Sequence, residues 1–310
     1  MQIIDNLSSF QEQHGRCVAT IGKYDGMHLG HQSILRRLLE LAGSHALPSL
    51  VVLSEPQPEE FFAGSQAPAR LNHFVDKVNF LRDFGVDLVY RLTFNQALSQ
   101  LSPQAFVERI LVAGLGVESI VVGSDFRFGR DRAGDLALLT EQGRQLGFGV
   151  HEAAPVCSGD QRISSTLVRQ CLQMGDCAQV RQLLGRAYSI SGVVVQGRQL
   201  ARQLGAPTAN IRLETASIAL QGVYAVNIEC RGRLFQGVAN IGYKPTVETG
   251  SVPSLEVFLF DFEGDLYGDS LQVSFLEKLR DEKKFSDLDA LKQQISRDVD
   301  AARGYFSRLG

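Results

Sequence analysis

The chain of 310 residues contains no C-x-x-C pair, no excess of positive charge, no apolar run of membrane length and no internal repeat. Each absence removes a class of protein. The five cysteines, Cys17, Cys157, Cys171, Cys177 and Cys230, are scattered and odd in number. They fit reduced thiols and exclude a zinc ribbon or a disulfide framework. Lys plus Arg total 31 against 34 Asp plus Glu, a net charge of −3. That balance argues against a broad nucleic-acid-binding face, though not against a local basic site. The opening MQIIDNLSSF has neither a basic nor an apolar segment of the secretory type, and nothing approaches a bilayer span. A cytoplasmic protein with no nucleic-acid or membrane partner is expected.

What is present is an ordinary globular composition, 44% hydrophobic and 21% charged, at a length that favours two domains. The pattern changes near Leu184. Before it, short apolar strands (CVATIG, LPSLVVLS, VDLVYRL, ESIVVG) alternate with helical stretches (QSILRRLLELA, FVDKVNFLRDF, PQAFVERILVAG). Such alternation predicts a parallel sheet with helices on both faces, an α/β arrangement. From Tyr188 onward short strands dominate: AYSISGVVVQG, GVYAVNIE, RLFQGVANIG, SLEVFLFDF and SLQVSFLE. Gly, Pro and Asp turns separate them, which predicts an antiparallel barrel or sandwich. A closing helix, SDLDALKQQISRDVDAARGYF, puts Leu288, Leu291, Ile295 and Val299 on one face. The expected domains are 1–184 and 185–310, joined by a short and mostly helical segment.

The stretch TIGKYDGMHLGHQSIL, Thr20 to Leu35, sits where a strand hands over to a helix. Ile34, Leu35, Leu38, Leu39, Leu41 and Ala42 form that helix's apolar stripe. Unpaired N–H groups at a helix start, glycines that let backbone approach closely, and two histidines one turn apart build an anion site. The bland alternative is a pair of incidental surface histidines at a turn. Downstream, RISSTLVRQCL (Arg162 to Leu172) opens a second helix, with Ser164 or Ser165 as its N-cap and Thr166 and Arg169 three apart. Hydroxyls, free N–H groups and one guanidinium together suit departing phosphates. A well-capped helix with a solvated arginine is the alternative there. Between them lies VVGSDFRFGRDRAGD, two phenylalanines interleaved with Arg127, Arg130 and Arg132. This suits a nucleotide or flavin loop, or else a single-strand nucleic-acid platform.

HLGH is similar to the H-x-G-H signature of the nucleotidyltransferase superfamily. The longer GKYDGMHLGHQSIL resembles the bacterial bifunctional riboflavin kinase/FMN adenylyltransferases, also called FAD synthetases. ISSTLVR and the G-x-D-F-x-F-G loop match the same family. The resemblance implies a Rossmann-like nucleotidyltransferase domain followed by an antiparallel β-barrel riboflavin kinase domain with a C-terminal helix. It implies that His28, His31 and Arg169 stabilise charge during adenylyl transfer. Gly22, Asp25, Gly30, Arg162, Ser165 and Thr166 would bind ATP or its phosphates, and Asp125, Phe126 and Phe128 the flavin.

The second half carries its own motif, GRQLARQLGAPTANI from Gly197 to Ile211. Its close, P-T-A-N, resembles the riboflavin kinase signature. Gly197 and Gly205 would wrap ATP phosphates, and Thr208 and Asn210 would hold Mg²⁺, which takes few protein ligands. GVANIGYKPTV, LYG and LRDEKKF also match the family, and Arg280 is implied in flavin binding. On its strand Glu256 points the same way as Phe258, Phe260 and Phe262. A carboxylate on an aromatic face needs a partner or a task. The resemblance supplies one, general base toward the riboflavin 5′-hydroxyl. The alternative is an edge residue reaching solvent.

The resemblance covers about Val18 to Arg303. The chain departs from it at Ser54, Tyr24, Ala187, Ala201, Ala206 and Phe258. None removes a named polar catalytic group apart from the possible histidine at Phe258, and Ala201 bears on ATP binding. The implied activity is phosphorylation of riboflavin to FMN, then adenylyl transfer from a second ATP to give FAD and pyrophosphate. The substrates are riboflavin, FMN and ATP, with Mg²⁺ as cofactor. A monomer or weak higher-order assembly is expected. Competing readings are an aminoacyl-tRNA synthetase relative, a kinase with an inactive N-terminal scaffold, and a non-catalytic flavin sensor. Against the first, the chain has no K-M-S-K-S-like loop and no long helical anticodon domain, and ISSTLVR stands in the loop's place. The second sits poorly with intact His28, His31 and Arg169. The third would not need Glu256 and Thr208 together with both phosphate motifs.

Overall fold

A computed structural model describes residues 1–196, 208–213, 217–246 and 250–308, apart from the side chains of residues 9, 244–246, 250 and 251. Two compact units divide the chain: Met1–Pro68 with Phe74–Ser164, and Ala69–His73 with Ser165–Gly310.

In the first unit six strands form one sheet: β1 (Gln2–Ile4), β2 (Cys17–Gly22), β3 (Ser49–Glu55), β4 (Leu88–Thr93), β5 (Val117–Gly123) and β6 (Gly149–Ala153). Their order is β1-β4-β3-β2-β5-β6 and every pairing is parallel. The helices are α1 (Leu7–Gln13), α2 (Leu29–His45), α3 (Pro58–Ala63), α4 (Phe74–Phe84), α5 (Gln96–Ser99), α6 (Pro103–Phe106) and α7 (Leu136–Leu146), and a short hairpin joins β7 (Cys157–Ser158) to β8 (Gln161–Arg162). Alternate strand residues feed two cores. Ala19, Leu50, Val52, Ile120 and Val122 pack with Phe10, Phe106 and Leu139. Val18, Val51, Leu53, Val89 and Val121 pack with Leu35, Leu38 and Leu81. Burial of both faces is what a parallel sheet covered by crossover helices requires. One expectation needs correction, since PQAFVERILVAG is not a plain helix. After α6 it widens into a π-helical stretch, Val107–Val112, with the Ala113 N–H donating to Glu108 O at 2.8 Å.

The strand order places the site. Winding runs outward from β2 through β3 to β4 on one side, and from β5 to β6 on the other. The reversal between β2 and β5 is a topological switch point, where open α/β sheets bind ligands beyond the carboxyl ends of the strands. The segments leaving β2 and β5 are GKYDGMHLGH and SDFRFG.

In the second unit α8 (Ser165–Met174) and α9 (Cys177–Leu184) precede β9 (Tyr188–Val195), β10 (Ala209–Ile211), β11 (Gly222–Cys230), β12 (Arg233–Thr246), β13 (Gly250–Leu259) and β14 (Ser270–Arg280), and α10 (Leu288–Ser307) closes the chain. The strands close into an antiparallel barrel, β10-β13-β12-β11-β14-β9, rather than a sandwich. Its interior is apolar: Tyr224, Val226, Ile228, Ala239, Ile241, Leu255, Val257, Val273 and Phe275 are all buried. The outer wall carries Ala225, Val238, Phe258 and Phe260, and these pack against Val299, Ala302 and Phe306 of α10. Leu291, Ile295 and Val299 face the barrel as the helical stripe predicts. Leu288, the first residue of α10, does not: it is 57% exposed.

Candidate active sites

In the first unit the histidines act on each other. His28 is the N-cap of α2, with extended φ/ψ of −67° and 168°, and its Nδ1 accepts the His31 N–H at 3.3 Å. The two rings stack, with centroids 3.7 Å apart and planes 17° from parallel. Gly30 suits this packing, because a Cβ there would crowd His28 Nδ1 and Cε1 at 3.1 Å and press the ring to shift. His28 is buried, and His31 is partly exposed while its Nδ1 is buried and without a hydrogen-bond partner. Burial holds the His31 pKa well below its ordinary value, and the charges of His28, Lys77 and Lys23 push the same way. His31 is therefore neutral at pH 7. Lys77, on α4, is buried and donates its Nζ to Lys23 O at 2.7 Å.

The loop leading to the histidines is shaped by its own strand. Gly22 ends β2 and Asp25 is buried. Tyr24, at φ 50°, turns its ring inward against His31, with centroids 5.0 Å apart. Thr20 Oγ1 donates to Val121 O at 2.7 Å and lies 2.6 Å from Tyr24 Oη. The tyrosine hydroxyl therefore donates to Thr20, and a polar atom replacing the family's usual phenylalanine edge stays satisfied.

Beyond β5, Asp125 accepts a hydrogen bond from Arg162 Nη2 at 2.7 Å. The structure thus joins a residue expected to touch flavin with one expected to touch ATP. Phe126 and Phe128 stack at 5.4 Å. Phe128 belongs to the core and packs on Phe106, whereas Phe126 stays partly exposed. Phe128 is thus a support behind Phe126.

In the second unit Ser165 begins α8, Thr166 is exposed, and Arg169 Nε donates to Ala69 O at 2.6 Å. Gly197, Gly205, Ala201 and Ala206 lie outside the described residues. Thr208, Asn240, Glu256, Phe258, Arg280 and Glu282 border a cavity of ≈ 140 Å³ that α10 also lines. Glu256 lies on the outer wall beside Phe258 and Phe260, as its strand phase predicts. Phe262 falls beyond the strand end and packs on Phe235 instead. Opposite Glu256, β10 presents Asn210 and β12 presents Asn240. Directly opposed residues share a face, so the carboxylate stands between two amides in one row. Arg280 is committed within the protein. Its Nε and Nη2 donate to both oxygens of Asp298 at 2.8 and 2.7 Å, and its Nη1 donates to Asp281 O at 2.8 Å. Gln294 also donates to Asp298, at 2.8 Å. This network ties the end of β14 to α10.

Sequence reasoning did not single out Asn240, Glu282 or Asp298. Asn240 and Glu282 lie inside family-matching stretches without a stated task. Asn240 was detectable as a polar residue breaking the run of small and aliphatic residues in GVANIG. Asp298 had no local signal, because its partner is Arg280. Burial raises the Glu282 pKa, opposed by hydrogen bonds from the Asn240 amide and the Tyr243 N–H and by the charge of Arg280, and the charge of Glu256 raises it further.

Residues 10–167 match the family model described as FAD synthetase, and residues 184–306 the one described as riboflavin kinase. A bifunctional riboflavin kinase/FMN adenylyltransferase from Pseudomonas fluorescens is 48% identical over 303 residues, 98% of this chain and 97% of that protein. The protein of the same name from Escherichia coli K12 is 44% identical over 98% of this chain and 96% of its own. A solved structure described as a macrolide-efflux protein from Streptococcus pneumoniae aligns with a TM-score of 0.83 at 28% identity, over 97% of this chain and 98% of that one. Among the described residues here, no helix is long and apolar enough to cross a membrane. With both halves matched in the order the motifs require, and relatives aligned end to end, the chain belongs to the bifunctional riboflavin kinase/FMN adenylyltransferase family.

Proposed function

We propose that each half of the bifunctional reaction has its own domain, adenylyl transfer in residues 1–184 and riboflavin phosphorylation in 185–310. The observation supporting two separate sites is that each compact unit has a polar constellation of its own: stacked histidines capping α2 in one, a carboxylate between two amides in the other. The substrates are riboflavin, FMN and ATP.

At the kinase site the riboflavin 5′-hydroxyl attacks the γ-phosphate of ATP and Glu256 takes its proton. The Thr208 hydroxyl and the Asn210 amide oxygen, next to Glu256, are donors that suit a hard cation. Among the described residues no cluster of three or more His, Cys, Asp or Glu forms an all-protein cage. Mg²⁺ needs none, since it keeps waters and substrate phosphates. Held there, it would neutralise charge on the transferring phosphates. Arg280 borders the flavin cavity and keeps α10 against it.

At the adenylyltransferase site a phosphate oxygen of FMN attacks the α-phosphate of ATP and pyrophosphate leaves. No protein nucleophile is needed, and catalysis is placement plus charge stabilisation. His28 Nδ1 is already an acceptor, so the ring's N–H is the one on Nε2, and this is the group it offers to phosphate. A polar ligand group would also satisfy His31 Nδ1, a buried atom otherwise left without a hydrogen-bond partner. Gly22, Gly30 and Asp25 shape the ATP-binding turn. Arg162, Ser165, Thr166 and Arg169 keep the ATP roles the family resemblance implies, as Gly197 and Gly205 do for the kinase. Phe126 contacts the flavin ring with Phe128 behind it and Asp125 beside it. The five free cysteines fit a reducing cytoplasm.

The test is a chromatographic time course with Mg²⁺ and ATP, one tube given riboflavin and another FMN. FMN rising first and FAD following, with FAD also formed in the FMN tube, supports the assignment. An inert FMN tube overturns the adenylyltransferase half. FAD from supplied FMN alone overturns the kinase half.

A further inference from the structure

Glu282 lies in the segment between β14 and α10, remote in sequence from the catalytic row. Its carboxylate accepts a hydrogen bond from the Asn240 side chain and another from the Tyr243 backbone N–H. It also lies directly on the backbone of Gly242. A Cβ built on Gly242 would overlap the Glu282 carboxyl, and the three atoms nearest to it all belong to Glu282. Gly242 pairs regularly with Ser254 and has an ordinary strand φ, so the strand itself does not need glycine there. The missing side chain leaves room for one thing, the Glu282 carboxylate. Asn240, which that carboxylate holds, is the cross-strand partner of Glu256.

We propose that Glu282 is a positioning residue for riboflavin phosphorylation: it fixes the Asn240 amide, and Asn240 in turn fixes the catalytic base Glu256. The proposal rests on the reading of Glu256 as that base. An asparagine amide can rotate and present either its oxygen or its nitrogen. Once its N–H is given to Glu282, its orientation toward Glu256 is set. A carboxylate flanked by two amides of fixed orientation holds one rotamer, and a fixed rotamer is what a base needs to meet the 5′-hydroxyl at hydrogen-bond distance. Glu282 itself is bound to two protein N–H groups, while Glu256 occupies the centre of the row. Gly242 is the second half of the device, because alanine at 242 would displace Glu282 without touching Glu256.

The experiment measures FMN formation from riboflavin and ATP for the full chain carrying Glu282→Ala, Glu282→Gln, Asn240→Ala, Gly242→Ala and the Glu282→Ala/Asn240→Ala pair. Calorimetric melting of the same samples reports that the barrel of each variant is folded, and FAD formation from supplied FMN reports that the first unit is intact. Glu282→Ala is expected to lower kcat roughly 10-fold or more with the riboflavin KM little changed, as for a misplaced catalytic group. Glu282→Gln, whose amide oxygen accepts the same two N–H groups, recovers most of that loss. Gly242→Ala behaves like Glu282→Ala. The double variant is no slower than its slower single parent, as for residues acting in one chain of contacts. A raised KM with kcat retained makes Glu282 a substrate contact and overturns the proposal. Multiplicative loss in the double variant, or a fully active Gly242→Ala, overturns it as well. Glu256→Gln runs alongside. If it keeps near-normal kinase rates, the base assignment falls and this inference with it. If it abolishes FMN formation while Glu282→Ala is unaffected, only the inference falls.

Discussion

His28 has two jobs that can be separated by substitution. One is structural: Nδ1 caps α2 by accepting the His31 N–H at 3.3 Å. That distance is long, so the cap belongs at the weak end of the usual range, about 0.5–1 kcal/mol. For a unit of this size such a loss lowers Tm by roughly 1–4 °C. The other, on the proposed reading of the site, is chemical: the Nε2–H meets charge on the transferring phosphate. Removing a donor of that kind slows turnover by roughly 10²–10³, equal to about 2.7–4 kcal/mol. His28→Ala loses both. His28→Asn keeps the cap, because its short amide accepts from the same N–H, but it has no group at the Nε2 position. The expected result is a Tm drop for alanine that asparagine restores, with FAD formation from FMN at least roughly 10²-fold slower in both. FMN formation from riboflavin stays at wild-type rates. Initial rates by chromatography and melting by calorimetry check this. If asparagine restores FAD synthesis along with stability, His28 is a cap and nothing more. If alanine slows both activities equally in folded protein, the two-site assignment is wrong.

Gly30→Ala would place a methyl 3.1 Å from the His28 ring and tilt it away from the phosphate, so FAD formation should fall while FMN formation is spared, as steady-state rates would show. The depressed His31 pKa means that the unfolded chain binds this proton more readily than the folded one. The stability it governs is complete above about pH 6.5 and is lost as pH falls from there toward the lower folded value. Melting of His31→Gln should accordingly be less sensitive to pH between about 5 and 6.5 than wild type. Asp298→Ala leaves Arg280, whose side chain is 16% exposed, without its carboxylate partner. A destabilisation of about 3–5 kcal/mol is expected, together with loss of FMN formation as α10 loosens; denaturant titration of the variant checks it.

Most of this architecture was legible because it is written in local periods. The stripe through Leu35, Leu38 and Leu41 and the alternation through Leu255, Val257 and Leu259 follow from burying one face of a helix or strand. H-x-G-H at the end of β2 was legible for a similar reason, since strand, glycines and helix start are contiguous. The parts missed are those where the deciding partner is distant in sequence. β1 and β10 are three residues each and depend on distant strands for their hydrogen bonds, β1 on β4 and β10 on β13 and β9. Phe128 reads as a ligand platform until Phe106 is seen against it. His28 as an N-cap is not legible in the sequence, because histidine is an uncommon cap and the helical period QSILRRLLELA begins four residues later. Leu288 fits the helical stripe perfectly well and still finds nothing to cover it.

The row formed by Asn210, Glu256 and Asn240 runs across the strands, not along one of them. The place of Glu256, the proposed base, is thus held by the hydrogen-bond ladders of three strands and not by any single loop. A side chain two positions along β13 would still look outward, but one position along would look into the apolar interior. A single-residue insertion upstream of Glu256 in β13, even one the barrel absorbed with its shape intact, would therefore turn the carboxylate inward among Leu255, Val257 and their neighbours. On the proposed reading of Glu256 as the base, one residue added to β13 upstream of it costs the riboflavin kinase reaction.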